Sequence, residues 1–306
     1  MISVLMATHD GADTVERSLA AMAEMDLPAE GWELIVVNNA STDDTEARVL
    51  KWRDRLPLRY RSEQRLGKSF ALNTGLDSAK GGLIVMTDDD VLPDRNWLTE
   101  LRRVADAYPH CAIFGGAIAP EFADGPPRNV PDWCYGVLYG LTPAHREGEI
   151  APMPGSDLYD VSGANLAIRD AVRDTGCRFD NNFLVGSRGL MGEDTEFVRQ
   201  ASAIGFKVAF APKARVGHIV HRHQTSWRWI HHRFYRHGHT AFLQAQAHGE
   251  TPRFPWAKLR SALGSAFRYL IAWIGNDKAG AFKQSRALAY DLGAIHQALS
   301  SSGRER

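Results

Sequence analysis

Cysteine is scarce in this sequence, and its few cysteines form no recognisable pattern. Cys111, Cys134 and Cys177 lie far apart and include no Cys-x-x-Cys pair. An odd, scattered set of this kind argues against a disulfide framework and against a structural zinc site built on cysteines. We therefore expect a reducing, cytoplasmic location.

Three other absences narrow the class of protein. No apolar run reaches the roughly 18–20 residues that a membrane span requires, and the N-terminus has no basic and apolar leader, so we expect no signal peptide. No Gly-x-Gly-x-x-Gly follows the first predicted strand, which excludes a dinucleotide dehydrogenase. Lys plus Arg and Asp plus Glu balance at 36 each, so no overall field favours a nucleic-acid partner. That balance hides acidic clusters at 88–94 and 191–196 and a basic, histidine-rich stretch at 213–239.

Short apolar runs alternate with stretches of helical periodicity through the first 120 residues. This alternation is typical of βα units around a mostly parallel sheet. The runs lack polar alternation, so the strands should be buried on both faces. The sequence therefore predicts an α/β fold, with strands at residues 2–7, 33–37, 58–61 and 83–86.

Polar side chains follow the first, second and fourth of these strands directly. The fourth strand runs into three consecutive aspartates, Asp88, Asp89 and Asp90. Adjacent carboxylates repel one another, and Mg²⁺ or Mn²⁺, which prefer oxygen ligands, would relieve that repulsion. Open α/β sheets bind ligands at the carboxyl ends of their strands. We therefore favour a metal site over the alternative, a solvated acidic turn that caps the next helix.

Several segments together resemble the family 2 glycosyltransferases, in the family's order and spacing, over about residues 2–220. The resemblance implies a GT-A fold, in which a Rossmann-like nucleotide-binding mixed sheet is flanked by helices, here with a C-terminal helical extension. It implies a nucleotide-sugar half at 1–118, an acceptor half at 119–255, and the extension at 256–306. The matching segments are Thr8-His9-Asp10, Val-Val-Asn-Asn-Ala-Ser-Thr-Asp at 36–43, Gly-Lys-Ser-Phe-Ala-Leu-Asn-Thr-Gly at 67–75, Thr-Asp-Asp-Asp at 87–90, Ser-Gly-Ala-Asn-Leu-Ala-Ile-Arg at 162–169 and Gly-Glu-Asp-Thr-Glu-Phe at 192–197.

The resemblance also assigns roles to individual residues. Asp194 would be the catalytic base, with Glu193 beside it, and Asp88, Asp90 and His218 would hold Mn²⁺ or Mg²⁺. The family usually has Asp where this chain has Asn38, whose amide oxygen is a weaker acceptor for a pyrimidine N–H. His9 likewise stands where the family commonly has an aromatic residue. The residues that would bind the nucleotide sugar are Thr8, Asn38, Ser41, Lys68, Asp88 and Asp89.

The implied reaction is an inverting transfer of a sugar from a nucleoside diphosphate, with UDP favoured, to a hydroxyl group. The acceptor would be a glycan, a lipid-linked molecule or a small molecule, in polysaccharide or glycoconjugate biosynthesis. The metal would stabilise the departing diphosphate, and Asp194 would take the proton of the hydroxyl.

Two other functions remain open from the residues alone. His218, His221 and His223 have the spacing of a zinc cluster, which would suit a metal-dependent phosphoesterase; a basic surface is the plainer interpretation. A non-catalytic sugar-nucleotide-binding module would not need Glu193 and Asp194. These two acids could simply begin a helix, but they follow a glycine-rich loop, with glycines at 186, 189 and 192, that could flex over a substrate.

The C-terminal region has the periodicity of two helices, at about 256–274 and 288–299, with a turn at 275–277. The first has a broad apolar face with basic flanks. We expect this face to pack against the catalytic core or a second subunit, because extensive apolar surface is seldom exposed on a monomer. The alternative is an interfacial anchor at the inner face of the membrane. The partner of 256–299 would then be a lipid surface rather than a second copy.

Overall fold

In a computed structural model of the chain, the apolar runs of the N-terminal part form parallel strands. β1 pairs with β2 and β4, and β2 pairs with β3, all in parallel. β1 is buried over its whole length, as expected for strands without polar alternation. The bounds are β1 Ile2–Thr8, α1 Val15–Ala23, β2 Trp32–Asn39, α2 Thr45–Leu50, β3 Leu58–Glu63, α3 Lys68–Ser78 and β4 Leu83–Asp88.

The other strands join this parallel half in antiparallel pairings. β8 pairs with β4 and β6, and β9 pairs with β5 and β7. The described residues thus form a nine-stranded mixed sheet in the order β3-β2-β1-β4-β8-β6-β9-β5, with β7 beside β9. The bounds are β5 Val91–Pro93, α4 Trp97–Ala107, β6 Cys111–Phe122, α5 Tyr135–Tyr139, β7 Gly148–Glu149, β8 Leu166–Arg169, α6 Asp170–Asp174, α7 Glu193–Ala203 and β9 Lys207–Val220.

Helices cover both faces of the sheet. Alternate residues of β1 belong to different cores: Met6 packs with residues of α1 and α4, such as Leu19. Leu5 packs on the other face with residues of α3 and α7, such as Leu72 and Phe197. This period of two is the geometry of a strand with both faces covered. The predicted α/β class, a mixed sheet flanked by helices, is confirmed.

The structure describes residues 1–123, 125–127, 130–142, 145–181, 191–247 and 256–302. The chain forms two compact units. One comprises Met1–Glu121, Tyr139–Gly186 and Gly192–Ile219, and the other Phe122–Leu138, Ser187–Met191 and Val220–Arg306. The second unit contains residues 227–247, which belong to the acceptor half in the predicted division. The functional division at residues 118 and 255 stays a prediction.

Three long helices dominate the second unit: α8 Trp227–Ala247, α9 Trp256–Ile274 and α10 Lys278–Ser302. α8 and α9 both pack against α10. The predicted turn at 275–277 separates α9 from α10, whereas α8 was not predicted. None of the helices that the structure describes is both long and apolar enough to cross a membrane.

Candidate active site

The parallel register brings the polar ends of three strands to one edge of the sheet. Thr8 at the end of β1 is the register partner of Asn38 in β2. On the other side of β1, Ala7 is the register partner of Asp88. The side chains that follow β1, β2 and β4 therefore lie at the same rim, as the sequence predicts. This rim is the usual ligand-binding edge of an open α/β sheet.

Hydrogen bonds join the loop after β1 to the loop after β2. The backbone N–H of Asp10 donates to the Ser41 hydroxyl at 3.0 Å, and the N–H of Thr42 donates to an Asp10 carboxylate oxygen at 2.7 Å. The bond from Thr42 is the main cause that lowers the pKa of Asp10. Ser41, predicted to line the nucleoside pocket, thus also holds the two loops together. The rim is in part pre-formed by its own backbone.

The two asparagines at the end of β2 are both bonded within the protein. Asn38 donates to the Tyr60 hydroxyl at 2.9 Å and accepts the backbone N–H of Ser41 at 3.1 Å. Asn39 accepts the backbone N–H of Gly67 at 2.8 Å and donates to the Arg65 carbonyl at 2.7 Å. Asn38 therefore supports the loop that was expected to hold the base. One lone pair of its amide oxygen remains for a ligand.

The three consecutive aspartates have three different partners. Asp88 pairs with Lys68, with 2.6 Å between Oδ1 and Nζ. Asp89 accepts a hydrogen bond from the Thr8 hydroxyl. Asp90 pairs with His218, with 3.4 Å between Oδ2 and Nε2. Each carboxylate of the triplet thus has its own partner from a different element, and these partners offset the repulsion between neighbouring carboxylates.

Asp89 and Asp90 have pKa values shifted in opposite directions. Burial is the largest cause that raises its pKa, to about 7, and the charge of Asp90 adds to it; the bond from Thr8 opposes the shift. Burial also favours the neutral form of Asp90, but its hydrogen bond and ion pair with His218 outweigh burial and lower its pKa. Asp89 therefore carries less than a full negative charge near neutral pH.

Strand pairing places His218 beside Asp90. In the antiparallel pairing of β5 with β9, Val91 is the register partner of His218. The backbone N–H of Ile219 donates to the carbonyl oxygen of Asp90 at 2.8 Å. The side chains of Asp90 and His218 consequently meet although 127 residues separate them in the sequence.

Lys68 connects the strand-end acids with the acids that begin α7. Its ammonium lies 2.6 Å from Asp88 and 3.4 Å from a carboxylate oxygen of Glu193. Burial disfavours the charged ammonium, but the charges of Asp88, Glu193 and Asp194 outweigh it and raise the pKa of Lys68. For Glu193 burial prevails over the attraction of Lys68, and its pKa is raised. Gly67 supplies a positive φ of 143° immediately before Lys68.

Asp194 is held at the start of α7 by backbone donors. One carboxylate oxygen accepts the N–H of Gly163 at 2.6 Å, and the other accepts the N–H of Thr195 at 2.8 Å. Gly192, with φ of 95°, precedes the helix. The bond to Gly163 ties the Ser-Gly-Ala-Asn segment to the acidic pair, a contact that the sequence did not predict. The glycines at 186 and 189 lie outside the described residues.

Asn165 is a second residue whose role the sequence did not reveal. Its side chain is fully buried, accepts the indole N–H of Trp97 at 2.8 Å, and donates to the carbonyls of Ala117 and Ala214 at 3.1 and 2.9 Å. These bonds tie the turn before β8 to β6, β9 and α4. The only feature of the sequence that could have indicated this role is the amide of Asn165, which offers two donors and an acceptor.

The donor set at the rim fits a hard divalent cation in part. The Oδ1 atom of Asp90 is buried and accepts no hydrogen bond from the residues that the structure describes, and carboxylate oxygen is a ligand that Mg²⁺ and Mn²⁺ prefer. His218 adds a nitrogen donor beside it. Asp88 instead pairs with Lys68, and the predicted trio of Asp88, Asp90 and His218 does not form a compact three-donor group.

Other histidines and acids give a different picture. His221 and His223 stack on each other with ring centroids 5.6 Å apart. Within the described ranges, the three-donor group with all ligand atoms within 4.8 Å is His110, Cys111 and Glu149, and no such group contains His221 or His223. The histidine spacing that suggested a zinc cluster therefore does not produce one there.

The sequence of this chain is similar to a known protein family. The model of "Glycosyl transferase family 2" matches residues 3–172. Dodecaprenyl-phosphate galacturonate synthase of Rhizobium johnstonii is 32% identical over 213 residues, which cover 68% of this chain and 53% of that protein. The first curated relatives are longer than this chain, and the matched segments span 32 to 64% of their length.

Solved structures share the fold. S. aureus TarS 1–349 in complex with UDP has a TM-score of 0.57 and 17% identity, covering 100% of this chain and 92% of that one. Mannosyltransferase PcManGT from Pyrobaculum calidifontis, in complex with GDP-Man and Mn²⁺, has a TM-score of 0.55 and 21% identity, covering 100% and 75%. The fold is GT-A with a C-terminal helical region. The family model matches more than half of the residues of this chain, so this chain belongs to glycosyl transferase family 2.

Proposed function

We propose that the chain is a glycosyltransferase of the hexosyltransferase kind, which moves a sugar from a nucleoside diphosphate to a hydroxyl group with inversion. One observation carries the proposal: the ammonium of Lys68 contacts both Asp88 at the end of β4 and Glu193 at the start of α7. The proposed donor-binding acids and the proposed base therefore belong to one cluster. A cluster of this kind is what differential stabilisation of a charged transition state requires.

The donor would bind at the rim formed by the loops after β1 and β2. Thr8, Asn38 and Ser41 line this rim, and Asp89 lies against Thr8. We favour UDP as the nucleotide, which the likeness of this fold to TarS in complex with UDP supports. Lys68 is placed to attract the diphosphate, since a mobile ammonium on a flexible stem is a common phosphate partner.

Asp90 and His218 would hold a divalent cation, Mn²⁺ or Mg²⁺, and Asp88 would exchange its contact with Lys68 for the ribose or the metal. The unsatisfied Oδ1 of Asp90 supports this assignment, as does the complex of PcManGT with Mn²⁺. Such cations are often bound by one or two protein carboxylates together with substrate phosphates. When bound, the ion would supply Lewis-acid stabilisation of the diphosphate.

Asp194 would act as the general base. An acceptor hydroxyl has a pKa far above neutrality, so a carboxylate must take its proton as the oxygen attacks the anomeric carbon. The bond between that carbon and the diphosphate oxygen breaks on the opposite face, which inverts the configuration. The N–H groups of Gly163 and Thr195 fix the carboxylate of Asp194. Glu193, 3.4 Å from the ammonium of Lys68, would position Lys68 beside Asp194.

The acceptor would be a glycan, a lipid-linked molecule or a small molecule, within polysaccharide or glycoconjugate biosynthesis. The Rhizobium johnstonii relative is named a dodecaprenyl-phosphate galacturonate synthase, which favours a lipid-linked acceptor among these. We place the protein in the cytoplasm, at the inner face of the membrane. The three cysteines are free, as proteins of a reducing compartment have them.

A two-stage experiment tests the proposed function. Thermal-shift measurements with a panel of nucleotide sugars, with and without Mn²⁺, should give a stabilising shift that needs the metal, because binding to the native state raises the melting temperature. Turnover of the stabilising donor is then measured for Asp194→Asn. We expect the shift to persist and turnover to fall by about 10²–10⁴-fold.

Asp174→Asn is the matched control, because Asp174 is an exposed aspartate in α6; its turnover should equal that of the wild type. If no nucleotide sugar shifts the melting temperature, the donor assignment is wrong. If Asp194→Asn turns over at a near-normal rate, Asp194 is not the base.

A further inference from the structure

α9 presents a row of large apolar side chains to solvent along its whole length. Each member is between 50 and 70% exposed. Their spacings of three, four and seven residues place them on one face of the helix. We call this face the α9 stripe; its members are Trp256, Leu263, Phe267, Leu270, Ile271 and Ile274.

The opposite face of α9 packs against α10. Ala262 and Ser265 on that face are buried. Arg268 donates to Gln284 at 3.0 Å, and Lys258 lies 3.6 Å from Asp291. The stripe is therefore the outer face of a helix pair that is already fixed by its inner contacts.

The part of the chain that contains the stripe is strongly basic. Residues 220–302 contain eleven Lys and Arg against three Asp and Glu, and α9 itself contains three basic residues and no acid. Arg260, Lys278 and Lys283 are exposed. Tryptophans stand near both ends of the helix, at Trp256 and Trp273, the latter 67% exposed. Tryptophan and basic residues beside an apolar face are typical of helices that lie in a membrane interface.

Charge decides between a lipid surface and a second copy of the chain. Stripe-to-stripe pairing of two copies would bring two like-charged surfaces together, which opposes association. An anionic bilayer has the complementary charge and attracts exposed basic residues near its surface. α9 is not apolar enough to cross the bilayer, so it would lie along the surface.

We propose that the α9 stripe inserts into the interfacial layer of an anionic phospholipid bilayer, with Arg260 and Lys278 at the headgroup phosphates. This surface belongs to the second unit and does not depend on the donor or the base. For the proposed function, this means that the protein would bind a membrane-embedded acceptor at the bilayer surface.

Vesicle binding by the full chain tests the proposal. Co-sedimentation is measured with vesicles of phosphatidylcholine alone and with about 30% phosphatidylglycerol, together with the tryptophan emission maximum. We expect binding to the anionic vesicles with a blue shift of the emission. Phe267→Ser/Ile274→Ser, which leaves the charge unchanged, should weaken binding by about tenfold or more, as apolar area sets interfacial affinity. Arg260→Gln/Lys278→Gln should weaken binding to the anionic vesicles and make the residual binding less sensitive to salt.

The matched control is Leu27→Ser/Ile204→Ser, which removes two exposed apolar side chains outside the second unit; it should bind as the wild type does. Equal binding by Phe267→Ser/Ile274→Ser and wild type would overturn the proposal, and so would equal binding to neutral and anionic vesicles. The proposal would also be overturned by a wild type that forms a dimer and does not bind vesicles, together with a monomeric Phe267→Ser/Ile274→Ser. The stripe would then contact a second copy of the chain. Nucleotide affinity, measured on the same variants, reports separately on the donor site.

Discussion

Replacing Lys68 with methionine removes the cation that lies between Asp88 and Glu193 while keeping a side chain of similar length. The side chains of Lys68, Asp88 and Glu193 are 26, 23 and 9% exposed, so water can replace the ammonium only in part. Losing one partner of a buried ion pair costs about 3–5 kcal/mol. Because two of the three groups are a quarter exposed, we expect a loss of about 2–4 kcal/mol in the free energy of unfolding near neutral pH.

The loss should depend on pH in a defined direction. Burial raises the pKa of Glu193, and Lys68 opposes that rise. Without Lys68 the pKa in the folded state rises further above the unfolded value of 4.5, so the native state binds the proton more tightly than the unfolded state. The stability of Lys68→Met is therefore retained below about pH 4.5 and falls as the pH rises through the folded-state pKa.

Urea unfolding followed by far-UV circular dichroism, at about pH 5 and about pH 8, measures both effects. Lys80→Met is the control, because the side chain of Lys80 is exposed; it should change stability by less than about 0.5 kcal/mol. Adding Glu193→Gln to Lys68→Met should restore about 1–2 kcal/mol at the higher pH, as expected for directly coupled groups. If Lys68→Met and Lys80→Met unfold at the same urea concentration at both pH values, the bridging role of Lys68 is refuted.

Three further substitutions test other parts of the structure. Glu63→Gln removes the carboxylate that accepts hydrogen bonds from Arg65 and Thr74. The hydrogen bond from Arg65 is the main cause that lowers the pKa of Glu63, to about 2. The substitution should cost about 1–2 kcal/mol of unfolding free energy above pH 4.5, and that difference should disappear as the pH falls through about 2. A pH-independent cost in urea unfolding would contradict this. Asn165→Ala leaves three buried groups unpaired and should cost about 2–4 kcal/mol; a loss below about 1 kcal/mol would show that water replaces the amide. Asp90→Asn should abolish the Mn²⁺-dependent part of UDP affinity in calorimetry, and undiminished Mn²⁺-supported affinity would remove Asp90 as a ligand.

The sheet was predictable because its strands are coded locally. Apolar runs without alternation mark β1, β2 and β4, and each run ends in polar residues, so the position of Asp88 at the sheet rim follows from the sequence. α8 was not predicted, because histidine, arginine and aromatic residues are interspersed along it and obscure the apolar period of a helix. The packing of α8 against α10 stabilises the helical conformation of this segment.

The partners of the site residues depend on contacts between distant segments. No local pattern places His218 beside Asp90, since their pairing follows from the register of β9 on β5; the family resemblance alone suggested it. The partner of Asp88 in the structure is Lys68 rather than Asp90 or His218, and Asn38 is bonded to Tyr60 and Ser41. Residue types at the rim were thus predictable, whereas their pairing required the fold.

The balance of 36 basic and 36 acidic residues conceals two opposite tendencies that bear on function. Residues 220–302 hold a large basic excess, so the remaining residues hold an equal acidic excess. In the first unit acidic side chains contact Lys68 and His218, and a buried oxygen of Asp90 accepts no hydrogen bond from the described residues, which supports the proposed cation site. In the second unit a basic excess lies in the same part of the chain as an exposed apolar helix face, which supports the proposed anionic surface as its partner. Overall charge therefore says little about the partners of this chain, because charges of opposite sign are concentrated in different parts of it.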